Sequence, residues 1–121
     1  MYAETSDVLG EDNVRAVKTA TVIMAMNNVY YRFAHLASDK EFVKLPARLR
    51  MNILASHGTD KVSFELYALA VSAINACGMC IDAHVLTLQK HGLSNEAIQT
   101  SIRIAAVVQA VAQALEIEEA L

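Results

Sequence analysis

Residues 60–84, DKVSFELYALAVSAINACGMCIDAH, decide how the chain folds. Thr59 or Asp60 can cap a helix, and Val62, Phe64, Leu66, Tyr67, Leu69, Ala70, Ala73 and Ile74 then make a segment that is apolar nearly all round. That pattern predicts a core helix over about 60–75, because a helix without a polar face has no side to turn to water. Glu65 is the exception. A carboxylate on a buried helix must be paired, hydrogen-bonded or protonated. Cys77 to Lys90 predicts a second helix with Val85, Leu86 and Leu88 on its apolar side, stopped by His91 and Gly92.

Upstream, Gly10 to Asn13 supplies capping residues and first-turn carboxylates. Val14, Val17, Ala20, Thr21, Met24, Ala25, Asn28 and Tyr31 then share one face, predicting a long helix over about 12–37. Asn27 and Asn28 sit inside it; the plain expectation is one exposed amide and one bonded to a neighbouring backbone group. Ser38 to Glu41 has capping-box spacing and Pro46 suits a first helical turn, so a short turn near 39–43 and a helix near 46–56 are expected, ended by His57 and Gly58. Downstream, Ser94 to Ala97 opens a last helix carrying Ile98, Ile102, Ala105, Ala106, Val108, Ala112 and Leu115 into a fraying acidic tail from Glu116. No segment alternates at period two. The expected fold is all-α, about five helices in one domain spanning 1–121.

Composition narrows the function. Of the 121 residues 55% are hydrophobic, with no Trp and one Pro, the palette of packed helices. A net charge of -3 without a Lys/Arg run argues against nucleic acid or an anionic membrane as partner. The apolar runs are broken short of the roughly 18–20 residues that span a bilayer, and residues 1–7 lack a basic segment followed by an apolar one. A soluble, cytoplasmic protein is expected, and in that compartment a close thiol pair points to catalysis or metal rather than to a structural staple.

Cys77 and Cys80 are the only cysteines. One helical turn places their Cα atoms about 5 Å apart, within disulfide range, so a bridge can open and close with little backbone movement. A helix start favours thiolate, and His84 lies one turn past Cys80 on the same face, which makes Cys80 a plausible activated nucleophile. Glu65, on the preceding helix, falls about a turn beyond His84 if the helices fold straight back, so a relay needs an oblique crossing or a water. A zinc site would use Cys77, Cys80 and His84 with Glu65, His57 or His91. Two inert buried thiols are the bland alternative. Ile81 after Cys80 excludes covalent haem attachment, and no strands surround the pair to make a thioredoxin fold. His35, His57 and His91 read as solvated or capping, and Tyr30, Tyr31 and Tyr67 as core or interface.

Glu65, eleven residues, Cys77-x-x-Cys80, three residues and His84 resemble the active-site signature of the alkyl hydroperoxidase D (AhpD) family. The similarity runs on through residues 26–32, 49–53, 64–66 and 71–75. It implies an all-helical antioxidant thiol peroxidase and disulfide reductase acting on organic hydroperoxides. By the same resemblance Cys80 becomes the sulfenic acid, Cys77 is proton donor and resolving thiol, and Glu65 and His84 form a proton relay. No cofactor or metal is bound; electrons come from dihydrolipoamide on a dihydrolipoyl acyltransferase and pass to an AhpC-type peroxiredoxin, and the protein is a homotrimer. Two departures stand out. Met79 occupies the place where some members carry histidine, and the N-terminal helical subdomain of family members has no counterpart here.

Overall fold

The computed structural model describes residues 2–55 and 57–120. Six α-helices follow in order: α1 Tyr2–Leu9, α2 Glu11–Leu36, α3 Glu41–Lys44, α4 Lys61–Ile74, α5 Gly78–Lys90 and α6 Asn95–Ala120, with a 3-10 turn at Asn52–Ala55. No strand occurs among the described residues.

The central helix is α4. Asp60 caps it by accepting the Ser63 amide at 2.9 Å. One side meets α2 through Ala16, Ala20 and Met24 against Phe64 and Ala68, with Ile23, Leu54, Tyr67 and Val71 around them. Its other side holds Leu69 against Leu88 of α5 and Ile98 of α6. Burying a side chain such as Phe64 or Leu69 contributes about 1.5–3 kcal/mol each. Small alanines on α2 let the two axes approach, and cross-links keep them in register: Thr59 and Tyr67 donate to Asn13 Oδ1 at 2.8 and 3.2 Å, and Asn28 reaches Ser72 fifteen residues further along α2. The two helices therefore run side by side in the same direction.

Three expectations are corrected. The helix expected near 46–56, of which residue 56 lies outside the described residues, does not form over 46–55: Leu45, before Pro46, is extended at ψ 139°, and Arg48 is left-handed at φ 54°, so the segment crosses the surface and tucks Leu54 under α2 through the 3-10 turn. The turn near 39–43 is instead α3, whose Glu41 amide is bonded by Asp39 rather than by Ser38. An additional helix, α1, precedes Gly10, which breaks it from α2 at φ 83°. At the other end α6 runs helical to Ala120, through the tail expected to fray.

α6 also amends the reading of the apolar runs. It is 26 residues long, its most apolar 18-residue window has a mean hydropathy of 1.2, and only 11% of that window is buried. By length and composition alone it is the one helix among the described residues able to cross a membrane.

Candidate active site

The turn between α4 and α5 places the cysteines. Asn75 ends α4, Ala76 turns left-handed at φ 57°, and Cys77 becomes the N-cap of α5, its sulfur accepting the Cys80 amide at 3.3 Å. The Asn28 amide donates to Ser72 Oγ at 3.0 Å, Asn75 donates to Asn28 Oδ1 at 3.1 Å, and Arg32 donates to the Asn75 carbonyl at 2.7 Å. This polar ladder fastens α2 to the turn. Asn27 and Asn28 are both buried, against the expectation that one would be exposed, because the turn supplies side-chain partners for Asn28 that no local sequence pattern announces.

Cys77 and Cys80 are joined as a disulfide with Cα atoms 5.3 Å apart. They are not equivalent. Cys77 is fully buried, whereas Cys80 retains 6% exposure and lines a cavity of about 310 Å³ with Met24, Asn27, Leu54, Met79 and His84. The Asn27 carbonyl oxygen stands 3.9 Å from the Cys80 sulfur.

His84 meets Glu65 directly, Nδ1 to Oε2 at 2.6 Å, and no water is needed between them. A straight antiparallel fold-back would leave them a turn apart; the two side chains meet directly instead. Lys61, one turn before Glu65, donates to its other oxygen at 3.0 Å. Burial alone would push the Glu65 carboxyl up; the hydrogen bonds and charges of His84 and Lys61 outweigh it and hold the carboxyl below its ordinary value. Glu65 is thus an ionised acceptor. The other ring nitrogen of His84, Nε2, is 3.3 Å from Met24 Sδ, which has no proton to give.

All four residues singled out in the sequence, Glu65, Cys77, Cys80 and His84, are therefore brought into one locus. The remaining histidines are elsewhere. His57 stacks on Phe64 with centroids 4.1 Å apart, His35 packs beside Gly78, and His91 sits in the C-cap of α5. Among the described residues no three His, Cys, Asp or Glu side chains stand in a metal-holding arrangement, and both cysteine sulfurs are engaged in the disulfide. Met24, Asn27 and Tyr31, the last read from the sequence as core or interface, are the cavity-lining residues of α2 that sequence reasoning missed. Their spacing on α2 marks a helix face, and nothing local says that this face closes over the cysteines of α5.

An all-helical chain with a C-x-x-C at a helix start beside a carboxylate–imidazole pair defines a class, and the family model for the carboxymuconolactone decarboxylase family matches residues 40–121. The chain belongs to that family, within its alkyl hydroperoxidase D group. It is 55% identical over 116 residues to the alkyl hydroperoxide reductase AhpD of Maricaulis maris, covering 96% of this chain and 67% of that protein. It is 60% identical over 118 residues to that of Coxiella burnetii (98% and 67%), and 55% identical over 116 residues to that of Rhodopseudomonas palustris (96% and 64%). The chain spans about two thirds of the length of these relatives.

Proposed function

We propose that the chain is a thiol peroxidase that reduces organic hydroperoxides through Cys77 and Cys80. One observation carries the reading: of the two sulfurs only Cys80 opens on the apolar cavity, and the same wall holds His84 tied to Glu65. With Nδ1–H given to Glu65, Nε2 of the neutral ring is the acceptor for the Cys80 proton. The thiolate attacks the terminal oxygen of R–O–O–H. A sulfur–oxygen bond forms, the O–O bond breaks, and the alkoxide takes the proton from His84 and leaves as the alcohol. Cys77, too buried to meet peroxide, attacks the sulfenic acid, closes the disulfide and releases water.

Reduction runs the other way. A donor thiolate reaches the more exposed Cys80 sulfur, and Cys77 departs as a thiolate that the Cys80 amide and the start of α5 stabilise. The donor in this reading is the dihydrolipoyl group of an acyltransferase in the cytoplasm, whose dithiol matches a two-electron bridge. An AhpC-type peroxiredoxin is the acceptor that draws electrons onward. The relatives' name, alkyl hydroperoxide reductase, supports the reaction class.

The test is chemical trapping in single variants. Cys80→Ser should form no sulfenic acid on treatment with hydroperoxide. Cys77→Ser should accumulate a trappable sulfenic acid at Cys80 that over-oxidises with excess peroxide. Label on Cys77 in the Cys80→Ser protein, with none in the other, reverses the two roles.

A further inference from the structure

The cavity above Cys80 is lined by two polar side chains that the mechanism leaves idle, Tyr31 and Asn27, and of these Asn27 is the buried one. Asn27 is 5% exposed and lines the cavity, and its Oδ1 is shut away from solvent without a hydrogen-bond partner. No hydrogen bond from its Nδ2 occurs among the described residues either, whereas the next residue, Asn28, is bonded at both ends of its amide. The Asn27 backbone carbonyl lies 3.9 Å from the Cys80 sulfur, so this residue is at the level of the reacting atom. A buried amide without partners weakens a fold, and a ligand is what would complete it.

We propose that the Asn27 carboxamide, turned about its terminal side-chain bond to face the cavity, binds the hydroperoxide group of the substrate and holds its O–O bond over the Cys80 sulfur. The proposal rests on the peroxidase reading above and adds the group that orients the peroxide. An O–O–H group offers one hydrogen to donate and an adjacent oxygen to accept. A carboxamide offers an acceptor and a donor side by side, so the two match without any charge on either. The amide N–H faces the oxygen that leaves as alkoxide, and its bond strengthens as charge develops there. Beside Tyr31, the wall is completed by the apolar side chains of Met24, Leu54, Met79 and Ala83, which suit an uncharged alkyl or aryl tail. Atoms balance as before: sulfur loses two electrons, the peroxide gains them, the terminal oxygen stays on Cys80, and His84 returns the proton to the alkoxide.

The experiment uses Asn27→Leu, which has the same branched skeleton without polar atoms, in the full chain, with the smaller Asn27→Ala beside it to separate lost hydrogen bonding from added bulk. Three quantities are read: the rate of Cys80 oxidation by cumene hydroperoxide in stopped flow, the rate at which dithiothreitol opens the Cys77–Cys80 bridge, and the melting temperature. The expected result is an oxidation rate lower by about 10- to 100-fold, a reduction rate within about twofold of the parent, and a melting temperature that is unchanged or higher. Oxidation within about twofold of the parent overturns the proposal and leaves the peroxidase reading intact. A fall in both rates together with the melting temperature also overturns it, since that marks a structural residue. A parent chain that dithiothreitol reduces but cumene hydroperoxide cannot oxidise removes the peroxidase reading itself. If Asn27→Leu does not fold, Asn27→Ala carries the same comparison of rates.

Discussion

Glu65 is bonded through both oxygens, to the Lys61 ammonium on one and to the His84 ring on the other. Its carboxyl is held below the ordinary value, so between the two pKa values the native state binds fewer protons than the unfolded chain. That stability is complete above the ordinary carboxylate range and is lost as pH falls through the folded value. Glu65→Gln should cost about 1–3 kcal/mol near neutrality, and the gap to the parent should close in acid, where the parent carboxyl is itself protonated. Melting both proteins from pH 7 to pH 3 checks this; a gap that stays constant removes the linkage. Glu65 was legible beforehand because a lone acid in an apolar helix has to be explained. Asn27 was not, since its meaning comes from the absence of a partner across an interhelical space that no spacing rule measures.

At the level of elements, the reversal between α4 and α5 sets the site, and Ala76 bears its cost. An exposed alanine at φ 57° gains nothing from its methyl group and suffers the left-handed clash that glycine escapes. Ala76→Gly should therefore raise unfolding stability by about 0.5–1 kcal/mol in denaturant titration while the Cys77–Cys80 bridge still forms. A destabilised variant would mean that the methyl group packs in solution. Gly78 is under the opposite constraint, because a Cβ there would come within 3.1 Å of the His35 ring. The spans of α2, α4 and α5 were readable to within a residue or two, since each combines a start or stop signal with apolar spacing. Residues 46–56 misled because Pro46 at a helical first turn and Pro46 forcing Leu45 to extend are the same signal. Only the packing of Leu54 and the left-handed Arg48 decide between them.

For the molecule as a whole, the unexplained surface is α6. Beyond Ala105 every described residue of the helix is exposed, and Ile104, Val108, Val111 and Leu115 keep an i, i+4, i+7, i+11 stripe at 61, 60, 53 and 59% exposure. Apolar surface of that extent marks a contact, and a stripe with coiled-coil spacing suits another helix better than it suits lipid, which would be met on all sides. We propose that copies of the chain associate through it as a homotrimer. Val108→Glu with Val111→Glu should convert an oligomer into a monomer by light scattering, while the Cys77–Cys80 bridge, which lies on α4 and α5 contacts rather than on α6's free end, still opens and closes. A monomeric parent removes the assembly. A parent that sediments with neutral phosphatidylcholine vesicles, with the double variant left in solution, assigns the stripe to a membrane instead. The two outcomes separate because an oligomer hides the stripe from lipid, whereas a monomer leaves its full length open to it.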